Sequence, residues 1–125
     1  MQNISSKYLS ITTIESLLKV NDEDTFINCN GILLIMPFGI VYGKFMSTDA
    51  DNPKTLADII MNAISSSKNQ CIEDGLTIIG DGSQIMLKDA TIKYPNGMNI
   101  KINEITIFCD QVCGYYPIDL AIFED

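Results

Sequence analysis

The chain has 125 residues, 46% of them hydrophobic, and a formal net charge of −8. That is enough apolar material for a well-filled core and too much for a disordered chain. Its 8 basic residues are all lysines, and arginine and histidine are both absent. Without imidazole, His-dependent triads and the usual zinc ligand are excluded. Without guanidinium the bidentate reader of phosphates and bases is missing, and the acidic balance argues against phosphate-led binding of nucleic acid.

Met1 to Lys7 shows no basic segment leading into an apolar run, so no signal peptide is read there. The longest apolar run, Ile32 to Phe38, contains Pro37 and is too short to span a bilayer. The expectation is a cytoplasmic protein with no membrane partner. Cys29 and Cys71 are isolated, and the spacing of Cys109 and Cys113 fits no usual zinc knuckle, so reduced and mostly buried thiols are expected.

Thr12 with Glu15 has the spacing of a capping box, and Ile14, Leu17 and Leu18 form an apolar stripe; together they predict a helix over about 12–20. Asn21 to Asp24 reads as a solvated acidic loop. Ile32 to Met36 is a continuous apolar strand, Pro37-Phe38-Gly39 a turn, and Ile40 to Phe45 a second strand with a close approach or bend at Gly43. Asn52 as cap and Pro53 as first helical residue predict an inserted helix over about 53–67, with Leu56, Ile59, Ile60, Ala63 and Ile64 on one face. Leu76 to Ile79 is expected as a short strand, and Gly80 to Ser83 as a loop.

The clearest pattern is a bent hairpin over 85–107. Pro95, Asn96 and Gly97 suit a three-residue loop with Gly97 left-handed. Pairing outward from it sets Tyr94 against Met98, Ile92 against Ile100 and Ala90 against Ile102. The apolar parity then jumps on both arms, to Leu87 and to Ile105, leaving Lys88 opposite Glu104. Matched jumps imply a shared bulge, since a one-residue slip would otherwise turn the side chains over. Val112 to Tyr116 reads as another strand stopped by Pro117, and Ile118 to Phe123 as a last edge strand. The expected fold is a single domain over 1–125, mainly β with two short helices (α+β), its small, strongly bent antiparallel sheet closing into a barrel or half-barrel.

Gly43-Lys44-Phe45 followed by Asp49, and Ile85-Met86-Leu87-Lys88-Asp89-Ala90, resemble the Sm-like family of short five-stranded barrels. That resemblance implies a leading helix, a bent hairpin, a short final strand and ring assembly through paired sheet edges. The family's Met-Asn step after the aspartate is replaced here by a helical insertion. Its basic step before the last strand is replaced by Cys109-Asp110-Gln111. The resemblance therefore carries over the fold without the residues that hold RNA.

The leading expectation is a non-enzymatic module that self-associates, or binds another protein, through sheet edges or the face of the inserted helix. Its candidate contacts are Asp110, Gln111, Tyr115, Tyr116, Lys93 and Lys101. A nucleic-acid-binding Sm-like protein, relying on Lys44, Lys88, Lys93 and Lys101, is the alternative. A third reading is a metal- or ligand-binding protein, or an enzyme, built on Asp81, Asp89, Asp110 and Cys109. No nucleophile, base and charge stabiliser are brought together by the sequence, so no catalytic residue, metal or cofactor is assigned.

Overall fold

A computed structural model describes residues 4–19, 29–46, 52, 54–80 and 82–123. The described residues form α1 (Ser6–Lys19), β1 (Gly31–Met36), β2 (Gly39–Phe45), α2 (Leu56–Glu73), β3 (Gln84–Lys93), β4 (Asn99–Phe108), a 3-10 turn (Cys109–Gln111), β5 (Gly114–Ile118) and α3 (Leu120–Phe123). This is an α+β arrangement. Two compact units divide the chain: Met1–Met46 with Gly82–Asp125, and Ser47–Asp81.

In the first unit the strands form an antiparallel sheet in the order β4-β3-β2-β1-β5. Ile32, Leu34, Val41, Leu87 and the α1 residue Ile11 are fully buried at its centre. α1 begins earlier than the Thr12 spacing suggests. Ser5 Oγ accepts from the Tyr8 N–H at 3.2 Å, while the Thr12 hydroxyl donates to the Tyr8 carbonyl at 2.8 Å from inside the helix. A serine ahead of the first turn caps better than a threonine already within it.

The 85–107 hairpin has the register its parity demands. Ile92 faces Ile100, Ala90 faces Ile102, Lys88 faces Glu104 and Leu87 faces Ile105. At the loop, Tyr94 N–H donates to Met98 O at 2.9 Å, and Gly97 takes φ 89°. The Asn96 side chain accepts from Met98 N–H at 3.0 Å.

The phase jump is centred on Asp89, which has φ 50°, the left-handed region that asparagine, aspartate and glycine tolerate best. Tyr42 pairs with Thr91 and Lys44 with Lys88, so β3 has one residue more than β2 across this step. Gly43 sits opposite the extra residue. A Cβ there would lie 3.0 Å from the Lys88 carbonyl oxygen and 3.1 Å from Ala90 Cα, both backbone atoms. Glycine is thus required by close approach.

Two expected strands are absent. Residues 76–79 are irregular, and Leu120–Phe123 is a helical turn whose Ala121 N–H donates to Asp119 Oδ1 at 3.0 Å. That turn packs Leu120 and Phe123 with Leu33, Tyr42 and Ile118, and the Tyr42 hydroxyl donates to the Phe123 carbonyl at 3.2 Å. Pro117 lies inside β5 instead of ending it, because an edge strand tolerates a residue without an N–H. Among the described residues no ladder joins β4 to β5, so the sheet is open and the expected closure is not formed by pairing.

In the second unit, α2 starts at the Thr55 cap, not at Asn52. Thr55 Oγ1 accepts from Asp58 N–H at 3.1 Å, and Asp58 Oδ2 accepts from Thr55 N–H at 3.1 Å. The helix runs past the expected end at Ser67 to a Schellman closure: Gly75 N–H donates to Ile72 O at 3.1 Å and Leu76 N–H to Cys71 O at 2.9 Å. Leu56, Ile59 and Ile60, expected to serve as core or as an oligomer contact, are exposed.

The bulge yields a direct test. Gly43→Ala should cost about 1–3 kcal/mol by overpacking, and Asp89→Ala should be about 1–2 kcal/mol less stable than Asp89→Gly. Both differences are read from urea unfolding midpoints.

Candidate interaction site

The residues singled out from sequence fall into two groups. Asp110 and Gln111 form the exposed 3-10 turn between β4 and β5. The Asp110 carbonyl accepts from Lys7 Nζ at 3.1 Å, which ties the start of α1 to this turn. Val112 N–H closes the turn on Cys109 O at 3.1 Å, and Cys113 N–H then donates to Ile35 O at 2.7 Å, feeding the chain into β5.

β5 pairs with β1 on one side through Leu34–Tyr115 and Leu33–Tyr116. Alternation places the two tyrosines on opposite faces of the sheet. Tyr115 shares the face of the buried Leu34 and is still 40% exposed, because an edge strand is covered on one side alone. Tyr116 is 70% exposed. Between α1 and β5 lies a shallow groove of about 160 Å³, with Ile11, Val112 and Tyr115 as apolar lining and Lys7 and Ser10 as polar rim.

At the opposite edge, β4 presents Ile100 and Phe108, with Met98 in the adjoining loop. Strand parity alone marks Ile100 as core. Its neighbour in register is the buried Ile92, but nothing among the described residues pairs beyond β4.

Lys93 and Lys101 share one face of the hairpin but differ in setting. Lys93 Nζ stands 5.5 Å from the centroid of the Tyr42 ring, a cation–π distance. Lys101 is exposed opposite Thr91. Lys44 and Lys88 face each other across β2 and β3.

The carboxylate and cysteine set does not converge. Asp81 lies outside the described residues, Cys109 is buried, and Asp89 sits at the bulge. Among the described residues no three His, Cys, Asp or Glu side chains are grouped to hold a metal ion. The expectation of mostly buried thiols needs correcting: none of the four cysteines is in a disulfide, but Cys109 alone is buried, Cys29 and Cys71 are intermediate, and Cys113 is exposed. Cys113 opens the edge strand, where cover from one side is missing. No described helix is long and apolar enough to cross a membrane.

No known family's sequence model matches the chain, and no curated protein is similar to it.

The exposure difference predicts thiol reactivity. In the folded protein a chromogenic disulfide reagent should label Cys113 rapidly and leave Cys109 unlabelled until denaturant is added. Peptide mapping of the labelled protein checks the order.

Proposed function

We propose that the chain is a non-enzymatic interaction module that self-associates by pairing β4 of one copy with β5 of the next. The observation that carries this reading is a sheet with two edges unpaired among the described residues, each beside exposed large apolar side chains: Ile100 and Phe108 on one, Tyr115 and Tyr116 on the other. An unpaired edge is a row of unused donors and acceptors, and proteins ordinarily protect such edges. A second copy would satisfy both rows at once.

Because each copy brings one β4 and one β5, the contact is heterologous and repeats into a ring or a filament. This is the assembly implied by the Sm-like resemblance, in which successive barrels pair their edges. In that reading the sheet belongs to a small barrel and Gly114–Ile118 is its joining edge. Pro117 withholds one donor, so the pairing centres on Gly114 to Tyr116. The exposed Leu56, Ile59 and Ile60 of α2 offer a second surface for self-association.

The RNA-binding alternative draws on Lys44, Lys88 and Lys101, set against a net charge of −8 and the acidic turn at Asp110. It would show itself as binding that falls steeply with salt.

Light scattering at two protein concentrations tests the reading. A defined oligomer is expected, and Tyr116→Glu should convert it to monomer with an unchanged far-ultraviolet circular dichroism spectrum. A monomer at both concentrations in the unmutated protein overturns it.

A further inference from the structure

The bulge that reverses the faces of β3 also builds a cleft of about 300 Å³ on the first unit, lined by residues of β2, β3 and β4. Lys44 and Lys101 line it with Asp89, Thr91 and Asn103. Two features of this cleft are costly unless something occupies it.

Thr91 is 7% exposed, yet among the described residues its hydroxyl makes no hydrogen bond. Buried polar groups are ordinarily paired, so an unpaired hydroxyl in a cleft wall marks a place for a ligand atom. Asp89 is presented at the cleft by a left-handed backbone, and such strain gathers at binding sites.

We propose that this cleft binds a small carboxylate bearing an adjacent amino or hydroxyl group. The ligand's carboxylate takes the ammonium groups of Lys44 and Lys101 and the Thr91 hydroxyl. Its amino or hydroxyl group donates to the Asp89 carboxylate, and the Asn103 amide serves either end. A volume at the small end of the ligand-cleft range, about 300–1,000 Å³, suits a metabolite-sized acid better than a polymer. Asp89 in the wall repels a bare phosphate backbone and rewards a donor. This is a site for a small molecule on a protein whose edges are proposed for a second copy.

NMR titration of the 15N-labelled full chain with L-serine and with glycolate tests the assignment, with acetate and inorganic phosphate for comparison. L-Serine or glycolate should give saturable shifts confined to the amides of Lys44, Asp89 to Thr91, and Lys101 to Asn103. Thr91→Val should weaken that binding about tenfold while leaving the melting temperature equal or higher, since an unpaired buried hydroxyl is removed. Asp89→Asn, which keeps a side chain tolerant of the left-handed backbone, should reduce the preference over acetate. Non-saturable or scattered shifts overturn the proposal, as does unchanged binding in Thr91→Val. Equal binding of acetate, or binding of phosphate alone, overturns the ligand class.

Discussion

The structure of the sheet depends on one left-handed residue. With Asp89 at φ 50°, the side chains of β3 change faces between Ala90 and Leu87, and both residues reach the core. Had the strand continued in phase, Leu87 and Ile85 would point to solvent and Lys88 and Met86 into the core. The neighbouring strands answer in different ways. β4 makes the same jump between Ile102 and Ile105, whereas β2 absorbs it with Gly43, whose missing Cβ lets the β3 backbone come close. Three strands are held to one solution, so a change at Gly43 or Asp89 is felt across all of them.

The same constraint sets what the surface offers. Turning Lys88, Lys44 and Thr91 to the face opposite Leu87 and Ala90 gathers polar groups beside the bulge. The apolar content goes to the core and, where it exceeds what one copy can cover, to the margins. α1 covers part of one face through Tyr8, Ile11 and Ile14, and α3 covers part of the other over Tyr42. Neither closes the ladder from β4 to β5. Tyr116 and Phe108 are left where a strand from elsewhere would bury them, which is the physical basis of the proposed assembly.

Local chemistry made the hairpin legible. The Pro95-Asn96-Gly97 loop fixes a register, and every pair outward from it follows by counting, including the jump at Asp89. The inserted helix was legible in kind but displaced. Pro53 drew its start too early, while Thr55 with Asp58 carried the cap, and the serines at 65–67 masked an end that Gly75 imposes. A four-residue α3 has too few positions to show a helical period, so Ile118 to Phe123 read as a strand. The site was less legible. Tyr115 and Tyr116 follow from strand parity, but β4 as a free edge is a property of strand order, which no local pattern contains. Thr91 reads as an ordinary outward strand residue. Its burial, with no hydrogen bond to the hydroxyl among the described residues, exists only in three dimensions.

Amide hydrogen exchange reads the proposed edge pairing residue by residue. Slow exchange is expected at alternate, outward-directed N–H groups of β4 and at those of Tyr115 or Tyr116 in β5. Their protection should match that of β2 between its two neighbours, because a second copy completes the ladder. Rapid exchange at both edges beside a protected β1–β3 centre would contradict it, for the edges would then be open to water in solution.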